Sequence, residues 1–156
     1  MTTDSAWVEK RVVRELLPYC YSWKTIIERG IVVAGGSDAP IEDADPMAGI
    51  HAAIFRYKHD GVTKWRESEC LSLEQALDMY GPGAAYALGI DEEKFIGKIQ
   101  PGWAADFTIL EMSTDPKLNP ESFKNAKVAS VWVAGQEKYD GNGTCVEHPQ
   151  GPHDCC

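Results

Sequence analysis

Apolar residues recur at spacings of three and four between Ala6 and Leu17, where Val8, Val12, Val13, Leu16 and Leu17 share one face. That period predicts a helix, ended by Pro18. A second helical stretch, Trp23 to Arg29, stops at Gly30, which suits a left-handed C-terminal cap. The pattern then changes to an unbroken apolar run, Ile31-Val32-Val33-Ala34, followed at once by Gly35-Gly36-Ser37-Asp38-Ala39-Pro40. Such a run predicts a strand buried on both faces, as in a parallel sheet. Helix, buried strand and glycine-rich turn in that order predict an α/β fold.

Helical signals resume at Asp45-Pro46, with Asp45 as N-cap and Pro46 at the first helical position. Met47, Ile50, Ile54 and Tyr57 supply the apolar face, and the polar stretch Lys58 to Cys70 reads as a loop. Ser72-Leu73-Glu74-Gln75 is a capping box that opens the next helix. Gly81-Pro82-Gly83 interrupts it, and Ala84 to Leu88 gives one more turn. Beyond Gly89 the periodicity shortens to strand-like alternation in Phe107 to Leu110 and Val128 to Val133. The expected organisation is an α/β segment over 1–88, a mostly β segment over 89–140, and a disordered tail over 141–156, where glycine and proline replace apolar residues.

Composition narrows the possible partners. Hydrophobic residues at 44% and charged residues at 25% fit a globular domain rather than a disordered chain. The balance of 15 basic against 24 acidic residues, net −9, argues against nucleic acid and against an anionic membrane surface. Ile31 to Ala34 is far short of the ~20 residues a spanning helix needs. Met1 to Ser5 is polar and Glu9, Lys10 and Arg11 follow, so no secretory signal is read and the cytoplasm is the expected compartment. Five irregularly spaced cysteines with no C-x-x-C pair fit neither a disulfide framework nor a cysteine zinc site.

Asp38 is the candidate for chemistry. A carboxylate just past a buried parallel strand occupies the place where barrel folds put catalytic groups. There it can ligate a divalent ion, or take a proton from metal-bound water and pass it to a leaving group. Ser-Asp-Ala-Pro is equally good turn chemistry, and from position alone a plain turn-capping Asp remains open.

Several motifs together resemble the amidohydrolase superfamily, in the branch called amidohydrolase family 3. Ser22 to Pro40 resembles its eighth barrel strand, with Gly36-Ser37-Asp38-Ala39-Pro40 as the strand-8 motif. Asp45-Pro46, Gly49-Ile50 and Ala52-Ala53 look like the helix that follows, and Leu73 to Leu77 with Gly83 to Ala87 like the next helix pair. Gly97-Lys98-Ile99-Gln100-Pro101-Gly102-Trp103-Ala104-Ala105-Asp106 resembles the motif by which the family's chain leaves the barrel for a small β-sandwich, and Val131 to Gln136 resembles that sandwich's last hairpin. The resemblance covers roughly residues 6 to 140. It implies the C-terminal portion of a (β/α)₈ barrel, strand 8 with its flanking helices, plus part of the sandwich. It implies hydrolysis of non-peptide carbon–nitrogen bonds (amide, carbamate or cyclic imide) in a small-molecule substrate. It implies a divalent metal, zinc above others, with Asp38 as ligand and as general base or acid. It makes Asp106 structural, its side chain bonding nearby backbone amides while Ala105 packs tightly.

The resemblance also states what is absent. The family's H-x-H pair and further histidine ligands precede the Asp38 strand, whereas His51, His59, His148 and His153 all follow it. A lone carboxylate does not hold zinc, so this chain by itself is expected to bind no metal and to be inactive. A missing N-terminal barrel segment, a second polypeptide supplying it, or a non-catalytic remnant or interaction module all remain open. Among the smaller candidates, His51 reads as packed or solvent-facing, His59 as solvated, and Trp65 and Trp103 as packing residues. Gly81-Pro82-Gly83 departs from the family's usual threonine there. His148, His153, Cys155 and Cys156 are too irregularly spaced to read as a metal site.

Overall fold

Two local signals set the helical half. The Asp45 carboxylate accepts from the Met47 amide at 2.9 Å, and Pro46 sits at the first position of helix α3, Pro46–Phe55. Ser72 accepts from the Gln75 amide at 3.2 Å while the Gln75 side chain accepts from the Ser72 amide at 2.9 Å, so the expected capping box closes α4, Leu73–Tyr80. Both arrangements satisfy backbone donors that a helix start would otherwise leave unpaired. The structure, a computed structural model, describes residues 1–90 and 95–143. The expected disorder of the tail and the cluster of His148, His153, Cys155 and Cys156 fall outside the described residues.

Helices α1, Val8–Arg11, and α2, Trp23–Glu28, precede these, and α5, Pro82–Ala87, follows α4 across Gly81. Strands β1, Phe107–Glu111, β2, Lys127–Val133, and β3, Gln136–Tyr139, form one antiparallel sheet in the order β1-β2-β3. Ala134 at φ 51° and Gly135 at φ 72° make the two-residue turn between β2 and β3, the twist-matched geometry that favours glycine. A 3₁₀ turn, Pro120–Asn125, links β1 to β2.

The core lies between α3 and α4. Ile50 and Ala53 of α3, Ala76 and Met79 of α4, Leu71 and Phe123 are buried together. Phe123 comes from the 3₁₀ turn, and Leu110 and Met112 pack on the same cluster, so residues from both sides of Gly89 share one core. Burying a side chain such as Phe123 contributes about 2–3 kcal/mol.

Three expectations are corrected. The helix expected over Ala6 to Leu17 is confined to α1, and Val12 is already extended at φ −91°, ψ 133°. Val8 is buried, but Val13 and Leu16 are exposed, so the C-terminal part of the apolar face lacks packing, and an unpacked short helix is not held in water. The run Ile31 to Ala34 joins no sheet among the described residues, and Ile31 and Val32 are 56% and 51% exposed. A parallel strand needs a neighbour on each side, and the sheet that does form is antiparallel and lies entirely beyond Phe107. The observed mix of helices with an antiparallel sheet is compatible with an α/β class. Ala105, expected to pack tightly, is exposed beside Gly135.

Candidate functional site

Asp38 sits where the chain turns away from the Ile31–Gly36 segment. Upstream, the Gly35 amide donates to the Met79 carbonyl at 2.9 Å, which moors the segment to the end of α4. Asp38 adopts φ 57°, the left-handed region that aspartate enters more readily than most residues. Its carbonyl accepts from the Ile41 amide at 2.9 Å, closing a turn whose Ala39–Pro40 peptide is cis. The side chain is exposed. Among the described residues no three His, Cys, Asp or Glu side chains come together in a way that could hold a metal ion.

The two described histidines, His51 and His59, do not join Asp38. His51, on α3, is mostly buried, and its Nε2 lies 2.8 Å from the Glu121 carboxylate. The Tyr57 hydroxyl donates to the other Glu121 oxygen at 3.1 Å, and the Phe55 ring lies 4.7 Å from the imidazole. The His51 hydrogen bond, followed against burial by that of Tyr57, holds the Glu121 carboxyl below its ordinary range. His51 is therefore a packed residue tying α3 to the 3₁₀ turn, as the sequence reading favoured. His59 is exposed.

The most enclosed polar group is one the sequence did not single out. Arg56, at φ 52°, ends α3 and is completely buried. Its guanidinium lies against the rings of Trp23, at 5.3 Å, and Trp65, at 5.5 Å. Its Nε donates to the Trp65 carbonyl at 3.0 Å, while its two terminal nitrogens have no partner among the described residues. Burial, and after it the charge of Arg66, pulls its pKa down. Beside it, buried Glu69 accepts from both the Thr25 amide, at 3.1 Å, and the Thr25 hydroxyl, capping the first turn of α2 from a distant loop. Arg66 donates to the carbonyls of Pro18 and Cys20 and, at 3.1 Å, to Ser22 Oγ. Trp65 is thus a packing residue, as expected. No sequence rule places an arginine inside. The one available signal was the tryptophan pair, whose juxtaposition across 42 positions no local pattern reveals.

A groove of about 420 Å³ opens elsewhere, lined by apolar Ile27, Val33 and Met79 and by polar Gln75, Asp78 and Lys98. Asp38 is not in its wall. Trp103, half-buried, lines it and carries the Lys98 ammonium 5.3 Å from its ring centroid. Asp106 behaves as a structural residue: its carboxylate accepts from the Ala134 amide at 2.6 Å and so holds the β2–β3 turn.

The family model described as "Amidohydrolase family" matches residues 1–139. The chain belongs to the amidohydrolase family. Within it, this amidohydrolase segment corresponds to the C-terminal part of family 3 and carries a hydrolase's ancestry. It is 38% identical over 144 residues, 90% of this chain and 26% of the relative, to "Putative amidohydrolase YtcJ" of Bacillus subtilis. It is 28% identical over 130 residues, 83% of this chain and 21% of the relative, to "Protein LONG AFTER FAR-RED 3" of Arabidopsis thaliana. The chain spans about a quarter of the length of the curated relatives it matches. No solved structure matches it significantly. Among the described residues no helix is long and apolar enough to cross a membrane.

Proposed function

We propose that this amidohydrolase chain is the C-terminal portion of a (β/α)₈-barrel hydrolase, including the eighth-strand segment and part of the adjoining sandwich. We assign the complete enzyme to non-peptide carbon–nitrogen bonds in small molecules: amides, carbamates or cyclic imides. What carries the reading is the family match over residues 1–139, in a chain covering about a quarter of its relatives. Asp38 is the one carboxylate it would bring to the reaction. The donor set does not fit a complete zinc site, because catalytic zinc takes three protein ligands and the described residues assemble no such group. The other ligands of a divalent metal, zinc by this reading, belong to the three quarters of the relatives outside the match. In the complete enzyme Asp38 would be one donor to that metal, and its carboxylate would take a proton from the attacking water and return it to the departing nitrogen.

A chimera tests this directly. The Bacillus relative, with its matching segment replaced by this chain, is assayed on an amide, a carbamate and a cyclic imide, with metal content measured in parallel. The expected result is turnover of one of the three and a loss of about 100-fold or more in Asp38→Asn. A folded chimera in which D38N keeps both its metal and its rate would remove Asp38 from the site.

A second reading, a non-catalytic module that joins another polypeptide, is favoured by the exposed Ile31 and Val32. Sedimentation and thermal unfolding of the isolated chain separate the two. A monomer with a single cooperative melt and no zinc uptake supports a stand-alone module, whereas self-association supports an incomplete segment.

A further inference from the structure

The loop that carries Asp38 leaves the α4 surface at Gly35 and ends at Asp45, where α3 begins. Both ends of that loop meet one side chain. An ideal Cβ built at Gly35 would lie 2.6 Å from Tyr80 Cε2, and one built at Gly49 would overlap the Tyr80 hydroxyl. The phenol ring therefore spans from the backbone entering the loop to the backbone of the helix leaving it, and it fits because neither position carries a side chain. Tyr80 is half-buried against the core. The residue before it, Met79, accepts the Gly35 amide at 2.9 Å through its carbonyl, so the same turn of α4 holds the segment entering the loop by ring and by carbonyl. Burial, and then the charge of Asp45, pushes the Tyr80 phenol's pKa up. That places the hydroxyl end in the field of the residue that caps α3.

We propose that Tyr80 is the positioning residue for Asp38: its ring, packed between Gly35 and Gly49, fixes the two ends of the Asp38 loop relative to each other. Tyr80 touches no reacting atom. It acts by narrowing the range of positions open to the carboxylate, the kind of constraint on which oriented catalysis depends. The importance of that constraint for turnover rests on the role proposed above for Asp38. The packing claim does not.

The experiment reads the loop and the reaction separately. Amide hydrogen exchange on the whole chain follows the Gly35 and Ile41 amides, bonded to Met79 and Asp38 respectively, with the β1–β3 amides as reference. Tyr80→Phe keeps the ring and leaves exchange at both amides within about threefold. Gly49→Ala intrudes on the hydroxyl end while improving helix propensity, and speeds exchange at Gly35 and Ile41 by about tenfold without changing the sheet. The double substitution Gly49→Ala with Tyr80→Phe removes the overlapping hydroxyl and returns part of the protection. A G49A chain whose Gly35 and Ile41 amides stay protected overturns the proposal, as does one in which sheet and loop loosen equally. So does a double variant no better protected than G49A. In the chimera, G49A is expected to lower kcat with KM little changed. A loosened loop with unchanged kcat overturns the positioning role if D38N loses its rate, whereas unchanged kcat in both G49A and D38N sinks the role of Asp38 instead.

Discussion

Arg56 and Asp38 lie only 18 positions apart, yet the chain handles the two charges in opposite ways. Arg56 is completely buried next to the rings of Trp23 and Trp65, bonded through Nε, and close to a carboxylate that itself accepts from Thr25. Asp38 stands exposed on a turn, and only its backbone is engaged. The comparison teaches where this chain completes its own packing. Around Arg56 the side chains come from α2, α3 and the loop between α3 and α4, all within the chain, and they close over the charge. Around Asp38 the described residues supply the loop and its mooring but no group bonded to the carboxylate. A charge buried for stability and a charge held for chemistry are told apart by how fully their own chain surrounds them.

The sharpest way to break this contrast is to remove the enclosed charge. Arg56→Ala leaves a cavity against two indole rings and abolishes both cation–π contacts, so a loss of about 3 kcal/mol is expected in urea unfolding followed by tryptophan fluorescence. Arg56→Met is expected to cost less than half as much, because it refills the space and removes the two terminal nitrogens that have no partner. If Met were as damaging as Ala, the charge rather than the packing would be what holds the cluster.

Glu69 gives the next largest effect. Burial works to raise its pKa, but hydrogen bonds from the Thr25 side chain and backbone, with the charges of Arg66 and Arg56, outweigh it, and the net shift is downward from an ordinary 4.5. A carboxyl depressed in the folded state contributes stability that is fully present above its unfolded pKa. That contribution is lost as pH falls below 4.5 through the folded value. Glu69→Ala is expected to cost about 1–3 kcal/mol at neutral pH, since it uncaps α2 and leaves the Thr25 groups unpaired. Across pH 6 to 3 the urea midpoint should fall less steeply in the variant than in the parent. Parallel curves would mean that another carboxylate governs the acid limb.

These two residues mark how far the sequence could be read. Asp45, Pro46, Ser72 and Gln75 were legible because a cap is a bond between near neighbours, decided before tertiary structure forms. Strands β1 and β2 were legible as alternating runs, whereas the β2–β3 hairpin was indicated only by the family resemblance of Val131 to Gln136, because Gln136–Tyr139 carries no apolar alternation of its own. The helix expected through Leu17 and the strand expected at Ile31 to Ala34 were not, because amphipathic period and apolar run describe what a segment can bury, whereas the structure depends on what lies across from it. Arg56 escaped because its environment is assembled from Trp23 and Trp65, distant in sequence. Asp38 was legible as a position, at the end of an apolar run and after two glycines.

The smallest expected effect on stability belongs to Asp38 itself, and it is the most informative. The side chain is exposed, so Asp38→Asn should change the unfolding free energy of this chain by no more than about 0.5 kcal/mol. Asp38→Gly relieves the left-handed backbone at φ 57° and should be neutral or stabilising by up to about 1 kcal/mol, the opposite sign from Arg56→Ala. A residue whose side chain capped its own turn would behave otherwise: Asn would keep most of that function and Gly would lose it, although the backbone carbonyl that Ile41 uses is retained in both. Measured on one chain by urea midpoint, and on the chimera by rate, the D38N and D38G pair therefore separates the two uses of a carboxylate. Stability held or raised in both, with turnover lost in both, is the signature of a group kept for a reaction. Stability lost in D38G with turnover retained in D38N would assign Asp38 to the turn.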